Sequence, residues 1–300
     1  MHSMLAPIVN QVSENEGKLG SVSEPEMLES AGGGLIALHC LGGQGPPALF
    51  VHATGFNART YGPFVSGLTS EFTIWAPDLR SHGWSTAPRN GDYEWTSLAE
   101  DLLVVVDRLE IKTGELDCVG HSVGAATLLL ADAARPGLIR RMYGYEPVMW
   151  RPGEAFPPGQ NPLILGAQKR REVFGSRAEA LERFASRPPF STSRSDALHS
   201  YVSNLFEDLE DGTVRLRCRG SEEARVYDGE RVSTNDKIRN CKATVVVGMS
   251  GDHGFGNLGE PAAEALDNSR TIDYEGLTHF GPLEAPDRLS GDALAALLGS

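Results

Sequence analysis

The stretch Glu115 to Ala134, ELDCVGHSVGAATLLLADAA, constrains this chain more than any other. An apolar run from Leu116 to Val119 meets Gly120-His121-Ser122-Val123-Gly124, and Ala125 to Ala134 follow, rich in Ala and Leu and free of Gly and Pro. That order predicts a strand, a tight turn and a helix. A serine at such a joint is forced into a strained backbone, and glycines two before and two after it remove the Cβ atoms that would clash. The Ser122 hydroxyl would then stand clear, at the carboxyl end of a strand and the amino end of a helix, where negative charge is favoured. The competing reading is a Gly-rich turn with a merely buried serine; the strand and helix on either side favour the nucleophile.

The rest of the chain repeats the pattern. Glu26 to Ser30 and Leu35 to Leu41 predict a hairpin around Ala31-Gly-Gly-Gly34. Buried strands are predicted at Ala48 to Ala53, Phe72 to Pro77, Ile139 to Tyr145, Ala243 to Met249 and Thr271 to Tyr274. Between them lie an amphipathic stretch from Arg59 to Leu68, a helix from Leu98 to Leu109 opened by a Ser97/Glu100 capping box, and helices at Glu260 to Leu266 and Asp287 to Leu298. Steady alternation predicts an α/β fold whose mostly parallel central sheet has helices on both faces. Ligands of such sheets bind beyond the carboxyl ends of the strands. His52 to Asn57, Asp78 to Ser85, Ser122 and Glu146 all fall there.

After Glu146 the character changes. Residues 148–235 lose strand-like runs, carry Pro-rich joints, and contain helical segments at Pro162 to Phe174, Ser176 to Ser186 and Asp196 to Phe206. They predict a helical cap inserted into a core formed by 24–147 and 236–300. Residues 1–23 predict a polar, loosely ordered extension without the basic start and apolar stretch of a signal peptide. A net charge of −13 argues against nucleic-acid partners and anionic membrane surfaces. Cys40, Cys118, Cys218 and Cys241 are scattered and read as single thiols in a reducing compartment, so a cytoplasmic location is expected and a zinc site is not.

Four stretches in order, HATGF at 52–56, DLRSHGWS at 78–85, GHSVG at 120–124 and GLTHFGPLEAP at 276–286, resemble the α/β-hydrolase superfamily. The resemblance covers the chain from about residue 24 to 300. It implies Ser122 as nucleophile and His279, in the loop after the last predicted strand, as general base. It implies an oxyanion hole from the backbone N–H groups of Thr54 and Val123. Ala53 departs from the pattern, because many members have Gly after the His; that is tolerated unless the backbone there needs a positive φ. His52, His82 and His121, in motif loops, are expected to make structural hydrogen bonds; His253 could reach the rim but has no motif support.

The acid has two candidates. Most members place it after the strand that here is Ala243 to Met249, which nominates Asp252. Some place a Glu after the strand preceding the cap, which nominates Glu146. Glu146 is favoured: it ends a strand directly, Pro147 stiffens the joint, and EPVMWRP resembles the Glu-bearing version of the site. Asp252 lies one residue late from Gly248, in a loop rich in Gly.

A capped serine hydrolase is therefore expected, acting through an acyl-enzyme on a small or medium, partly apolar carbonyl substrate, with Phe56, Trp150 and Phe156 lining the pocket. Ester hydrolysis is the default; lactone, amide and carbon–carbon bond hydrolysis use similar sites. A serine at the elbow argues against the epoxide hydrolases and haloalkane dehalogenases of this fold, which use Asp. A non-catalytic small-molecule binder on the same scaffold is the alternative from another class, and a cofactor-free oxygenase or lyase is a minor third. No motif for a nucleotide, cofactor or metal is present. Oligomeric state is not legible.

Overall fold

The structure, a computed structural model, describes residues 24–251 and 258–300. The expected extension at 1–23, Asp252 and His253 lie outside the described residues.

The strands are β1 Glu26–Glu29, β2 Leu35–Cys40, β3 Pro47–Val51, β4 Thr73–Pro77, β5 Leu116–His121, β6 Ile139–Tyr145, β7 Val173–Phe174, β8 Phe206–Asp208, β9 Val214–Leu216, β10 Thr244–Ser250 and β11 Ser269–Tyr274. Eight of them form one sheet in the order β1-β2-β4-β3-β5-β6-β10-β11. The β1–β2 and β2–β4 pairs are antiparallel; from β4 to β11 all neighbours are parallel. This is the α/β-hydrolase fold.

Alternation along each strand builds two cores. Leu49, Val51, Cys118, Val245 and Val247 face the helices Trp95–Arg108, Val123–Ala134 and Glu260–Ala265. Ala48, Phe50, Val119 and Val246 face Gly62–Ser66 and Pro286–Leu298. Helix Trp95–Arg108 seats Leu98, Leu102 and Val105 on the sheet, each burial contributing about 1.5–3 kcal/mol. Helix Val123–Ala134 is buried nearly all round, as expected of a central helix.

The helix predicted from Leu98 begins at Trp95. Ser97 does not cap it, because its hydroxyl donates to Asp92 at 2.5 Å. The insertion between β6 and β10 contains the helices Pro162–Gln168, Arg177–Ala185, Ser195–Leu205 and Gly220–Gly229. It also contains a small antiparallel sheet, β7-β9-β8, so the expectation of a strand-free insertion is corrected. The segment predicted helical to Phe174 ends its helix at Gln168, and Phe174 pairs with Val214 in that sheet. Both strands joining the insertion to the core meet at its neck: Trp150 N–H donates to Ser233 O at 2.9 Å, and Asn235 N–H to Trp150 O at 2.8 Å.

Candidate active site

Ser122 sits between β5 and the helix Val123–Ala134 with φ 55° and ψ −121°. A residue with a Cβ holds such a conformation only where the surroundings enforce it. Here its neighbours make room. A Cβ on Gly120 would lie 2.6 Å from Ala125 Cα, and one on Gly124 would lie 2.2 Å from the Val51 carbonyl oxygen. Ser122 N–H donates to Tyr145 O at 2.9 Å, which ties the turn to the end of β6. Val123 is the first helical residue, so its N–H has no intrahelical acceptor.

Glu146 directly follows β6, and its φ is 46°. Among the described residues four non-glycines have positive φ, and two of them are Ser122 and Glu146. The Glu146 carboxylate is buried. Its Oε2 accepts from His279 Nδ1 at 2.6 Å, and its Oε1 accepts from the N–H and the hydroxyl of Ser250 at 3.0 and 2.7 Å. Burial pushes this carboxyl upward, but the bonds from His279 and Ser250 outweigh it and hold it below the ordinary carboxylate range. With Nδ1 donating to Glu146, His279 keeps Nε2 as its basic nitrogen.

The loop carrying His279 is fixed through its backbone. Tyr145 Oη donates to Thr278 O at 2.6 Å, and Thr278 N–H and Oγ1 donate to Glu284 at 2.8 and 2.9 Å. His121 Nε2 donates to His279 O at 2.8 Å. The histidines of the other motif loops hold backbone. His52 Nδ1 donates to Ala53 O at 2.8 Å while Nε2 accepts from Leu79 N–H at 2.9 Å. His82 Nδ1 donates to Arg80 O at 2.9 Å while Nε2 accepts from Gly55 N–H at 3.0 Å. Burial keeps both neutral, His52 down at about 3 with His82 adding to the effect. The positive φ of this loop, 80°, falls on Gly55 and not on Ala53, so an alanine fits there without strain.

Ser122, His279, Thr54 and Phe56 border one cavity of about 350 Å³ that the insertion roofs. Trp150, Phe184, Phe190 and Tyr201 supply much of the roof. Phe156 is a correction. It does not border the cavity but lies on an irregular loop, 37% exposed, edge-on to Trp150 at 5.4 Å between ring centres. A polar group also lines the roof and was not anticipated: Arg170, Glu223, Tyr227 and Glu230. Its signal was present in the sequence, since Glu223, Tyr227 and Glu230 recur at i, i+4 and i+7, one face of a helix. Ser250, which holds Glu146, gave no such signal. Among the described residues no group of three or more His, Cys, Asp or Glu is placed to hold a metal ion. No helix among them is long and apolar enough to cross a membrane.

Residues 48–292 match the alpha/beta hydrolase family. The chain belongs to that family. It is a hydrolase, as are two of the relatives it resembles. It is 27% identical over 205 residues to a 2-(acetamidomethylene)succinate hydrolase of Mesorhizobium japonicum, covering 68% of this chain and 70% of that one. It is 27% identical over 207 residues to a 2-hydroxymuconate semialdehyde hydrolase of Pseudomonas putida, covering 63% and 71%. The solved structure of an E-2-(acetamidomethylene)succinate hydrolase superposes with a TM-score of 0.73 at 21% identity, covering 92% of this chain and 100% of that one. That last likeness concerns the fold.

Proposed function

We propose that this hydrolase works through a covalent acyl-enzyme on Ser122, with His279 as general base and Glu146 as the acid that orients it. The observation that carries the reading is the 2.6 Å bond from His279 Nδ1 to Glu146 Oε2, with Ser122 and His279 bordering the same cavity. In the proposed reaction Ser122 Oγ attacks the substrate carbonyl as His279 Nε2 takes its proton. Negative charge collects on the carbonyl oxygen, facing the N–H groups of Val123 and Thr54. Collapse breaks the bond to the leaving group, which receives the proton from His279. Water, activated by His279, then cleaves the acyl-enzyme and restores Ser122. Buried Glu146 keeps Nδ1 protonated and stabilises the imidazolium that forms in each half-reaction.

The substrate is a small or medium, partly apolar carbonyl compound, an ester first. The cavity size and its aromatic wall support that class. The insertion acts as a lid that selects the acyl group. A panel of p-nitrophenyl esters of rising chain length tests the reading. The expected result is turnover with a chain-length optimum, lowered on the order of 10⁶-fold in Ser122→Ala. Equal rates in the two proteins would refute it.

A further inference from the structure

The roof of the cavity carries a carboxyl group without a counter-cation. Glu230 borders the cavity just past the helix Gly220–Gly229 and is 5% exposed. Asn161 Nδ2 donates to its Oε1 at 2.6 Å. The Asn161 amide cannot turn over, because its Oδ1 already accepts from Leu163 N–H at 2.9 Å as the cap of the helix Pro162–Gln168. Glu230 Oε1 accepts this bond, and the carbonyl oxygen of a carboxylic acid is its better acceptor, which favours Oε2 as the site of a proton. Oε2 is not among the buried polar atoms that lack a partner, and among the described residues nothing bonds to it, so it keeps some exposure on a residue that borders the cavity.

The charged neighbours are all engaged elsewhere. Arg170 donates to Glu223 at 2.7 Å and to Tyr201 Oη at 3.0 Å. Arg231 pairs with Asp228 at 3.2 Å and Glu94 at 3.3 Å. Among the described residues no ion pair includes Glu230. Burial, opposed by the Asn161 bond and reinforced by the Asp228 charge, pushes the Glu230 carboxyl up to about 8. At neutral pH its Oε2–H faces the cavity as a donor.

We propose that Glu230 donates a hydrogen bond from Oε2 to a second, uncharged carbonyl oxygen on the substrate, remote from the bond that Ser122 attacks. This rests on the hydrolase reading above and deepens it: the preferred substrate is an ester whose acyl chain ends in a neutral acceptor. A terminal carboxylate would find the Arg170 charge already matched by Glu223. A terminal ammonium would have to shed its water and take Glu230 from acid to carboxylate in a buried site. The carboxylates in the names of related hydrolases do not carry over to this cavity.

Four p-nitrophenyl esters of equal chain length, ending in methyl, methyl ketone, carboxylate or trimethylammonium, separate these chemistries. In the unaltered protein the ketone ester should show a KM about tenfold below the methyl ester with similar kcat, the size of one satisfied hydrogen bond. Glu230→Gln should keep that preference, because its amide N–H replaces the acid O–H while its oxygen still accepts from Asn161. Glu230→Leu should abolish it. A preference for the carboxylate or trimethylammonium ester, or its loss in Glu230→Gln, would overturn the proposal. Calorimetric titration of the same esters into Ser122→Ala reads binding without turnover, so the subsite is judged even if hydrolysis fails. There the ketone ester should bind about tenfold tighter than the methyl ester, and equal binding would overturn the proposal.

Discussion

The carbonyl oxygen of His279 accepts a hydrogen bond from Nε2 of His121, 2.8 Å away, and His121 is the residue immediately before Ser122. Because Nε2 must carry the proton, Nδ1 is an acceptor, and the Tyr61 hydroxyl donates a hydrogen bond to it at 2.7 Å. Tyr61 Oη in turn accepts from Ala53 N–H at 3.2 Å. One chain of bonds thus runs from the loop carrying Thr54, past Ser122, to the loop carrying His279. Burial, with His279 adding to it, holds the His121 pKa far below its ordinary value, so the acceptor at Nδ1 persists into acid.

Tyr61→Phe keeps the ring packing and removes this link. It should cost about 1–3 kcal/mol of stability by stranding two buried groups. It should also lower kcat about tenfold with KM little changed, as expected when one positioning bond is lost. Urea unfolding beside steady-state kinetics measures both. Lost stability with kcat intact would make the chain purely structural.

Glu146→Gln should lower kcat on the order of 10⁴-fold while the fold and the reactivity site remain, because an amide cannot fix the His279 tautomer as a carboxylate does. Asp252→Asn should cost less than about tenfold. The opposite ranking would give the role to Asp252.

Much of the fold was legible because its signals are local and repeated. β6 spans Ile139–Tyr145 as the sequence predicts, and Gly120 and Gly124 marked the turn around Ser122, where the structure leaves no room for a Cβ. The small sheet of the insertion was not legible, since β7, β8 and β9 are two or three residues long and carry no readable period. Glu146 could be nominated from the strand it ends, but Ser250 could not. Its bond to Glu146 depends on β10 lying beside β6, a pairing of residues more than a hundred positions apart. Phe156 was misjudged because an aromatic on an irregular loop has no face assigned by period.

Glu230 should make stability depend on pH. Its folded pKa of about 8 exceeds the ordinary 4.5, so the fold favours its protonated form. That contribution is full below about pH 4.5 and is lost as pH rises to about 8, a change on the order of 4 kcal/mol. Glu230 is bonded by Asn161; Asp228 and Tyr227 lie within reach of its charge, and Arg170 and Glu223 line the same cavity. Glu146 has the opposite sign: its lowered pKa gives stability above its ordinary value that is lost as pH falls. Comparison with Glu230→Gln cancels that second effect. Denaturant unfolding at pH 5 and pH 8 should show the unaltered protein losing stability relative to Glu230→Gln, and parallel curves would refute the assignment.

Trp150→Ala should shift acyl-chain preference, because its ring borders the cavity, whereas Phe156→Ala should leave preference unchanged. The ester panel reads both. Equal shifts would mean that the loop carrying Phe156 reaches the substrate.

The central claim, a covalent intermediate on Ser122, is tested most directly by intact-mass measurement after treatment with a fluorophosphonate. The expected result is one adduct per chain, absent in Ser122→Ala and slowed in Glu146→Gln. A folded protein that stays unlabelled, or one that labels equally without Ser122, would contradict it.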